Sequence, residues 1–300
     1  MTRRALRTLL EGGAFFEGPR WHDGRWWVSD FYREAVYTVA TDGSEERVLE
    51  VEQQPSGLGW LPDGALLVVS MKDRRVLRRD SNGDVSVHAD LSSFTESPLN
   101  DMVVDDRGRA WVGCFGFDLQ AFADPRTAPL LRVDPDGSAS VAANELMFPN
   151  GAVITPDGQA LIVGETAGCR YTAFTIEDDG TLSDRRVWAQ LASTPALGSF
   201  EEMLPQVTVG PDGCTLDAEG HIWAADEVGG SCIRVAPGGG VVDEIPTPDG
   251  LGCFACALGG DDGRTLLLCA APDFLEANRR DARDAVLLST TVEIPHAGLP

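Results

Sequence analysis

The stretch Phe148-Pro149-Asn150-Gly151-Ala152-Val153-Ile154-Thr155-Pro156-Asp157-Gly158-Gln159-Ala160-Leu161-Ile162-Val163 reads as an extended lead-in, a short apolar run, a Pro-Asp-Gly turn and a second apolar run. Two such runs around a Gly-containing turn predict a β-hairpin. The same pattern recurs as Trp21-His22-Asp23-Gly24 before Arg25-Trp26-Trp27-Val28, and as Leu61-Pro62-Asp63-Gly64 before Ala65-Leu66-Leu67-Val68. It returns in Asp105-Asp106-Arg107-Gly108, Asp217-Ala218-Glu219-Gly220 and Gly260-Asp261-Asp262-Gly263, each followed by an apolar run. The turn glycines stand at 24, 64, 108, 158, 220 and 263, spaced by 40, 44, 50, 62 and 43 residues. Further acidic-Gly turns such as Thr41-Asp42-Gly43, Ser81-Asn82-Gly83 and Pro135-Asp136-Gly137 close a third strand in each unit. A period of about 40 to 50 with about four short strands per unit is the mark of a propeller blade. The expectation is an all-β, six-bladed β-propeller with four-stranded blades, whose ring leaves only short, protected sheet edges.

Composition agrees with that fold and narrows the partners. The 300 residues include 33 Gly and 18 Pro, as suits one turn-rich domain spanning 1–300. No run of about 18 apolar residues occurs, so no membrane-spanning helix is expected. Met1 to Arg7 is basic but lacks an apolar core, so a secretory signal is not expected and a cytoplasmic location is. A formal charge of −23 argues against nucleic acid and anionic membranes as partners. A small-molecule partner is expected, with the chain a monomer or a small homo-oligomer. Seven cysteines are scattered among apolar strands and read as reduced, packed thiols. Cys253 and Cys256 have C-x-x-C spacing but no second pair to complete a zinc site.

In chain order, Arg3 to Phe15 is expected as an outer strand closing the ring against the last blade. Pro272 to Arg283 is expected as a short helix and Ala285 to Ile294 as the final strand. Two excursions, Gly113 to Pro125 and Ser193 to Val209, are expected to decorate one face.

One register position carries chemistry. Eight residues before each turn glycine stand Ser56, Asn100, Asn150, Asp212 and Ala255, and in blade one, whose turn is one residue shorter, Glu17. The first strand of each blade lines the central channel, so these strand starts converge on the axis. Four of them, Glu17, Asn100, Asn150 and Asp212, offer side-chain oxygens. Two carboxylates and two carboxamides around one point suit a hard divalent cation, with water or substrate completing the six to eight oxygens that calcium takes at about 2.3–2.6 Å. Calcium is the first expectation, with Mg2+, Mn2+ and Zn2+ as alternatives.

The segments Glu17-Gly18-Pro19-Arg20-Trp21, Leu99-Asn100-Asp101, Pro149-Asn150-Gly151 and Pro211-Asp212-Gly213-Cys214 resemble those of the senescence-marker-protein (regucalcin)/gluconolactonase/luciferin-regenerating-enzyme family. The resemblance runs from about Glu17 to the closing strand. It implies a propeller with a divalent cation in the channel that hydrolyses lactones, the metal ligands mapping onto Glu17, Asn150 and Asp212. It implies a metal or substrate contact for Asn100. Diisopropyl-fluorophosphatase-like propellers are similar and use all four positions for calcium. Sugar lactonases of the family carry an Arg two residues before the channel Asn, where this chain has Pro98, and the excursion adds Phe115, Phe117 and Phe122. A lactone or ester less polar than gluconolactone is therefore expected, with Asn100, Asp101, Phe115 and Phe117 contacting it. Asp212 is the expected general base, or alternatively a nucleophile giving an acyl-enzyme. No Gly-x-Ser-x-Gly elbow occurs, which removes the usual serine route. The alternatives are a phosphotriester or fluorophosphate hydrolase on the same cation, and a calcium-binding propeller without turnover.

Overall fold

A computed structural model describes residues 4–298; Arg3, where the expected outer strand begins, lies with Met1, Thr2, Leu299 and Pro300 outside the described residues. The strands form six four-stranded antiparallel sheets. The innermost strands are Phe16–His22, Pro55–Trp60, Leu99–Val104, Pro149–Ile154, Pro211–Leu216 and Gly252–Gly259. Each inner strand packs against the inner strands of the blades before and after it, the sixth against the first. Blade six is composite, since Arg7–Gly13 forms its outermost strand on Ala285–Thr291, with Arg7 opposite Ser289 and Gly13 opposite Ala285. The expected ring closure is thus made by hydrogen bonds between the two ends of the chain.

Each hairpin follows from its turn chemistry. In blade four Val153 pairs with Ile162 and Ile154 with Leu161. The turn between them closes with Gly158 donating its N–H to the Thr155 carbonyl at 2.8 Å, while Asp157 accepts from the Gln159 N–H at 3.1 Å. Gly158 sits at φ 68°, where a side chain would be strained.

Burial falls from the axis outward. Every residue of Leu99–Val104 and Pro149–Ile154 is buried, whereas Glu45–Glu50 and Val85–Asp90 each bury one residue fully. Inner strands lie between neighbouring blades and are buried on both faces; outer strands meet water. The core is accordingly a set of seams between blades. Val103 and Trp111 pack on Ala152 and Leu161 between blades three and four, and Trp223 packs on Cys256, Leu258 and Leu266 between blades five and six. All seven cysteines are free and buried, as expected.

The inner ring is tight enough to dictate glycine. A Cβ on Gly151 would lie 2.5 Å from the Asp212 carbonyl oxygen and 2.8 Å from the Cys214 nitrogen. One on Gly213 would lie 2.5 Å from the Ala255 Cβ. The Asn150-Gly151 and Asp212-Gly213 pairs are therefore not turn dipeptides: both lie inside strands, and the missing side chain lets adjacent backbones touch.

Two boundaries differ from expectation. The segment Pro272 to Arg283 holds only one helical turn, Glu276–Arg279. Arg279, its last residue, is buried and paired with Asp284 and Asp273. The final strand ends at Thr291. Replacing Gly151 with Ala is expected to destabilise the fold by about 1–3 kcal/mol through overpacking against backbone. Urea unfolding checks this, and an unchanged midpoint would contradict the close-approach account.

Candidate functional site

Glu17, Asn100, Asn150 and Asp212 line one cavity of about 700 Å³ at the channel mouth, together with Phe115 and Phe117. All four polar residues are 5–7% exposed. They occupy the second position of their inner strands, so the ring itself brings together side chains up to 195 positions apart in sequence, from Glu17 to Asp212. The other two register positions, Ser56 and Ala255, do not line the cavity, and Phe254 beside Ala255 presents its ring instead.

Local bonds orient the polar groups. Asn150 donates its Nδ2 to the Thr166 hydroxyl at 3.1 Å, and that hydroxyl donates to the Pro211 carbonyl at 2.8 Å. The amide is thereby fixed with its carbonyl oxygen left for the cavity. Glu17 accepts from the Gly18 N–H at 2.9 Å through Oε2. Asn100 has a buried Nδ2 with no hydrogen-bond partner, a costly state unless something in the cavity accepts from it.

Asp101, expected to contact substrate, is not part of the cavity lining. Its Oδ1 takes the buried Arg20 guanidinium at 2.9 Å and the Met102 N–H at 2.8 Å. Arg20 also donates to the Met102 carbonyl at 2.7 Å. Asp101 thus fastens blade three to blade one and is spent on structure.

Electrostatics mark the site. Burial raises the Glu17 carboxyl well above its usual 4.5, with Asp101 and Glu227 adding to the shift against the Gly18 N–H. Burial also raises Asp212 well above its usual 3.8, and the charges of Glu17 and Glu227 push the same way. Glu227, a half-buried cavity residue absent from the sequence reading, is pushed up to about 7 by burial and by Asp226. Clustered carboxyls in low dielectric resist ionising together. Among the described residues no three His, Cys, Asp or Glu side chains converge closely enough to hold an ion alone. A cation here would depend on the amide oxygens of asparagine as well as on carboxylates.

A second set of acids, also missed from sequence, holds the site in place. Asp226 accepts from the Gly210 N–H at 2.9 Å, just before Pro211-Asp212. Glu165 accepts from the Met147 N–H at 2.7 Å, shortly before Asn150, and from Arg170. Asp30 accepts from the Ala14 and Phe15 N–H groups at 2.9 and 3.1 Å, just before Glu17. Each ends the second strand of its blade and ties back the lead-in to a channel residue. Their signal was present: Asp30 and Asp226 stand six residues after their turn glycines and Glu165 seven.

The two excursions meet at the mouth. Phe122 packs edge-on against Phe200 with ring centroids 5.3 Å apart, and Asp124 accepts from the Phe200 N–H at 3.1 Å. Phe200 opens the short helix Phe200–Met203, whose capping box joins Ser199 and Glu202. Phe115 packs tilted and Phe117 edge-on against Phe148, and Phe15, Phe31 and Phe254 continue the apolar wall.

Comparison with known proteins places this geometry among relatives. The family described as SMP-30/Gluconolactonase/LRE-like region matches residues 15–272. A 6-deoxy-6-sulfogluconolactonase from Pseudomonas putida is 31% identical over 175 residues, 58% of this chain and 54% of that protein, so the match spans about half of the relative's length. A pentonolactonase from Haloferax volcanii is 28% identical over 262 residues, covering 85% of this chain and 81% of that protein. The crystal structure of a calcium-binding protein, regucalcin, from Agrobacterium tumefaciens superposes with a TM-score of 0.78 at 21% identity, covering 99% of this chain and 97% of that one. At that identity the structural likeness speaks for the fold alone.

Replacing Asp226 with Ala strands the buried Gly210 N–H and is expected to cost about 1–3 kcal/mol. Faster hydrogen exchange at the Gly210 amide should accompany the loss; unaltered exchange there would show that Asp226 does not hold the lead-in.

Proposed function

The chain belongs to the SMP-30/gluconolactonase/LRE-like family, and from that premise we propose that it is a divalent-metal-dependent hydrolase opening a lactone or related ester less polar than gluconolactone. The observation that carries the reading is the gathering of Glu17, Asn100, Asn150 and Asp212 in one aromatic-walled cavity. The lactonase names of two relatives support the reaction class.

The donor set fits a hard cation. Glu17 and Asp212 are held against ionisation by burial and by neighbouring carboxyls, and a divalent charge between them would offset that cost. Glu17, Asn150 and Asp212 would hold it, with Asn100 on the metal or on substrate. All-oxygen donors favour calcium, and magnesium, manganese or zinc would also be accepted. Once bound, the cation supplies Lewis-acid polarisation of the scissile carbonyl and stabilises its developing charge.

The chain's own groups do the rest. Asp212 accepts the proton of the water that attacks the carbonyl. Asn150, fixed by Thr166, keeps its oxygen pointing inward without reorganising. The unpartnered Nδ2 of Asn100 donates to a substrate oxygen. The phenylalanine walls exclude bulk water and accept an apolar substrate body, with Pro98 standing where sugar lactonases place a hydroxyl-binding arginine.

Replacing Asp212 with Ala is expected to lower kcat on the best lactone by about 10²–10⁴, and replacing Glu17 with Gln to abolish metal-dependent turnover, both with unchanged circular dichroism. Chelator-treated wild type that keeps its full rate would contradict the proposal. Stability should report the same site through pH. Both carboxyls are raised in the folded state, so without a cation they cost nothing below their usual values and destabilise increasingly as pH rises through them. Added calcium should therefore raise Tm more at pH 7.5 than at pH 4 at the same calcium concentration, the stabilisation at pH 7.5 being about 2.7 kcal/mol when calcium is at 100 times its Kd there. A calcium effect independent of pH would contradict this.

A further inference from the structure

The apolar wall of the cavity does not stop at its edge. Phe117 and Phe148 pack with Met203 in one cluster that also takes in Phe115, Leu119 and Phe200. Leu119 belongs at once to this cluster and to the cavity lining. Phe200 in turn carries Phe122 edge-on, with ring centroids 5.3 Å apart. An apolar track therefore leads from the cavity, along the blade-three excursion, to the rim that this excursion forms with the second one.

What the track exposes is unusual for this chain. Phe122 is 50% exposed, and Leu197 and Leu204, which flank Phe200 in sequence, are 52% and 53% exposed. Among the described residues every other large apolar side chain so exposed is a valine, and all of those but Val228 stand on outermost blade strands. The placing of Phe122 also runs against backbone preference. Its N–H donates to the Leu119 carbonyl at 3.2 Å, and the Ala123 N–H donates to the Asp118 carbonyl at 3.0 Å. This is the bonding of a helix C-terminus, in which the residue at the place of Phe122 takes a left-handed φ and is usually glycine. Phe122 adopts φ 51°, at a cost that a bulky side chain carries and glycine does not. The polar groups of the same segment are meanwhile engaged. Asp118 accepts from the Ala121 N–H at 3.0 Å, and Asp124 from the Phe200 N–H at 3.1 Å. Gln120 donates to the Phe274 carbonyl at 3.3 Å and accepts from the Glu276 N–H at 2.9 Å. Those bonds fasten the excursion to its neighbours and leave its apolar side chains to meet what occupies the mouth.

We propose that this track holds a linear alkyl chain on the substrate, so that the preferred lactones carry several methylenes beyond the ring, with Phe122 and Phe200 setting the preference. This rests on the hydrolase reading for the ring. The ring lies at the axis beside Asp212, the first methylenes meet Phe115, Phe117 and Phe148, and the chain runs over Leu119 to Phe122 at the rim. A chain so held takes apolar surface of both molecules out of water, whereas a sugar lactone would set hydroxyls against carbon.

Two measurements test it. The first compares kcat/KM for γ-butyrolactones carrying a methyl, butyl or octyl chain on the ring carbon next to oxygen. Wild type should gain about threefold for each methylene that reaches the track. Phe122→Ser and Phe200→Ser should each lower the octyl-to-methyl ratio by about tenfold, and Phe122→Leu, which keeps an apolar surface, should retain most of it. A wild-type ratio near one, or a ratio unmoved by both serine variants, overturns the proposal. The second uses calorimetry on the intact protein with the matching γ-lactams, which resist hydrolysis. Affinity that rises from methyl to octyl with a negative heat-capacity change, and falls in Phe122→Ser, supports the track. Equal affinity along the series, or no binding of any lactam, overturns it whether or not lactones are opened. Hydrolysis of lactones with no gain along the chain would sink this inference and leave the hydrolase reading intact, while chain-dependent lactam binding without turnover of any lactone would do the reverse.

Discussion

The backbones of neighbouring inner strands touch, and most of the site depends on that contact. Gly151 lies against the carbonyl of Asp212, and Gly213 against Ala255, with no room for a Cβ at either. Because the strands are this close, residues one step before those glycines are forced toward a common axis. Asn150 and Asp212 therefore meet not through any direct attraction but because the ring admits no wider spacing. Blades three and six depart from the pattern, with Asp101 and Cys256 in place of the glycine, and the Asp101 carboxylate is turned to Arg20 of blade one. The same register thus serves packing in most blades and cross-ring fastening in one.

Crowding carboxyls at such an axis has a cost that the rest of the structure manages. Asp30 and Glu165 are engaged through both oxygens by N–H groups and arginine, Asp226 accepts two backbone N–H groups through Oδ1, and all three act as anchors. Glu17 and Asp212 are engaged far less and carry the strain as raised affinity for protons. Two kinds of buried acid therefore exist side by side, one kind satisfied by the protein and the other left for a ligand. That difference separates scaffold from site more sharply than burial does, since members of both groups are almost wholly inaccessible.

Much of this was legible in the chain. The six turn glycines gave the blade count, and the residue eight positions before each, or seven in blade one, gave Glu17, Asn100, Asn150 and Asp212, because the hairpin turn and inner strand have nearly constant length. The N-terminal strand closing blade six was also readable from its position. The anchors were missed although Asp30, Glu165 and Asp226 hold an equally regular register, since a strand-end acid reads as an ordinary turn residue until its partner N–H is seen. Asp101 was misread for the opposite reason: its neighbour Asn100 faces the cavity, and alternation along a strand sends the next side chain elsewhere. Glu227, Phe254 and Arg74 reach the cavity from loops and strand ends whose direction no periodicity fixes. The expected helix over Pro272 to Arg283 is one turn, Glu276–Arg279, whose buried Arg279 is paired with Asp284 and Asp273.

The central claim is that a single divalent cation sits on the axis among side-chain oxygens from several blades. Anomalous diffraction from crystals soaked in calcium, or in manganese as a stronger scatterer, tests it directly. One peak bonded to Glu17, Asn150 and Asp212, and absent in the Asp212→Ala protein, is the predicted result. No peak in the channel at saturating cation, or peaks confined to the acidic outer surface, would contradict the account.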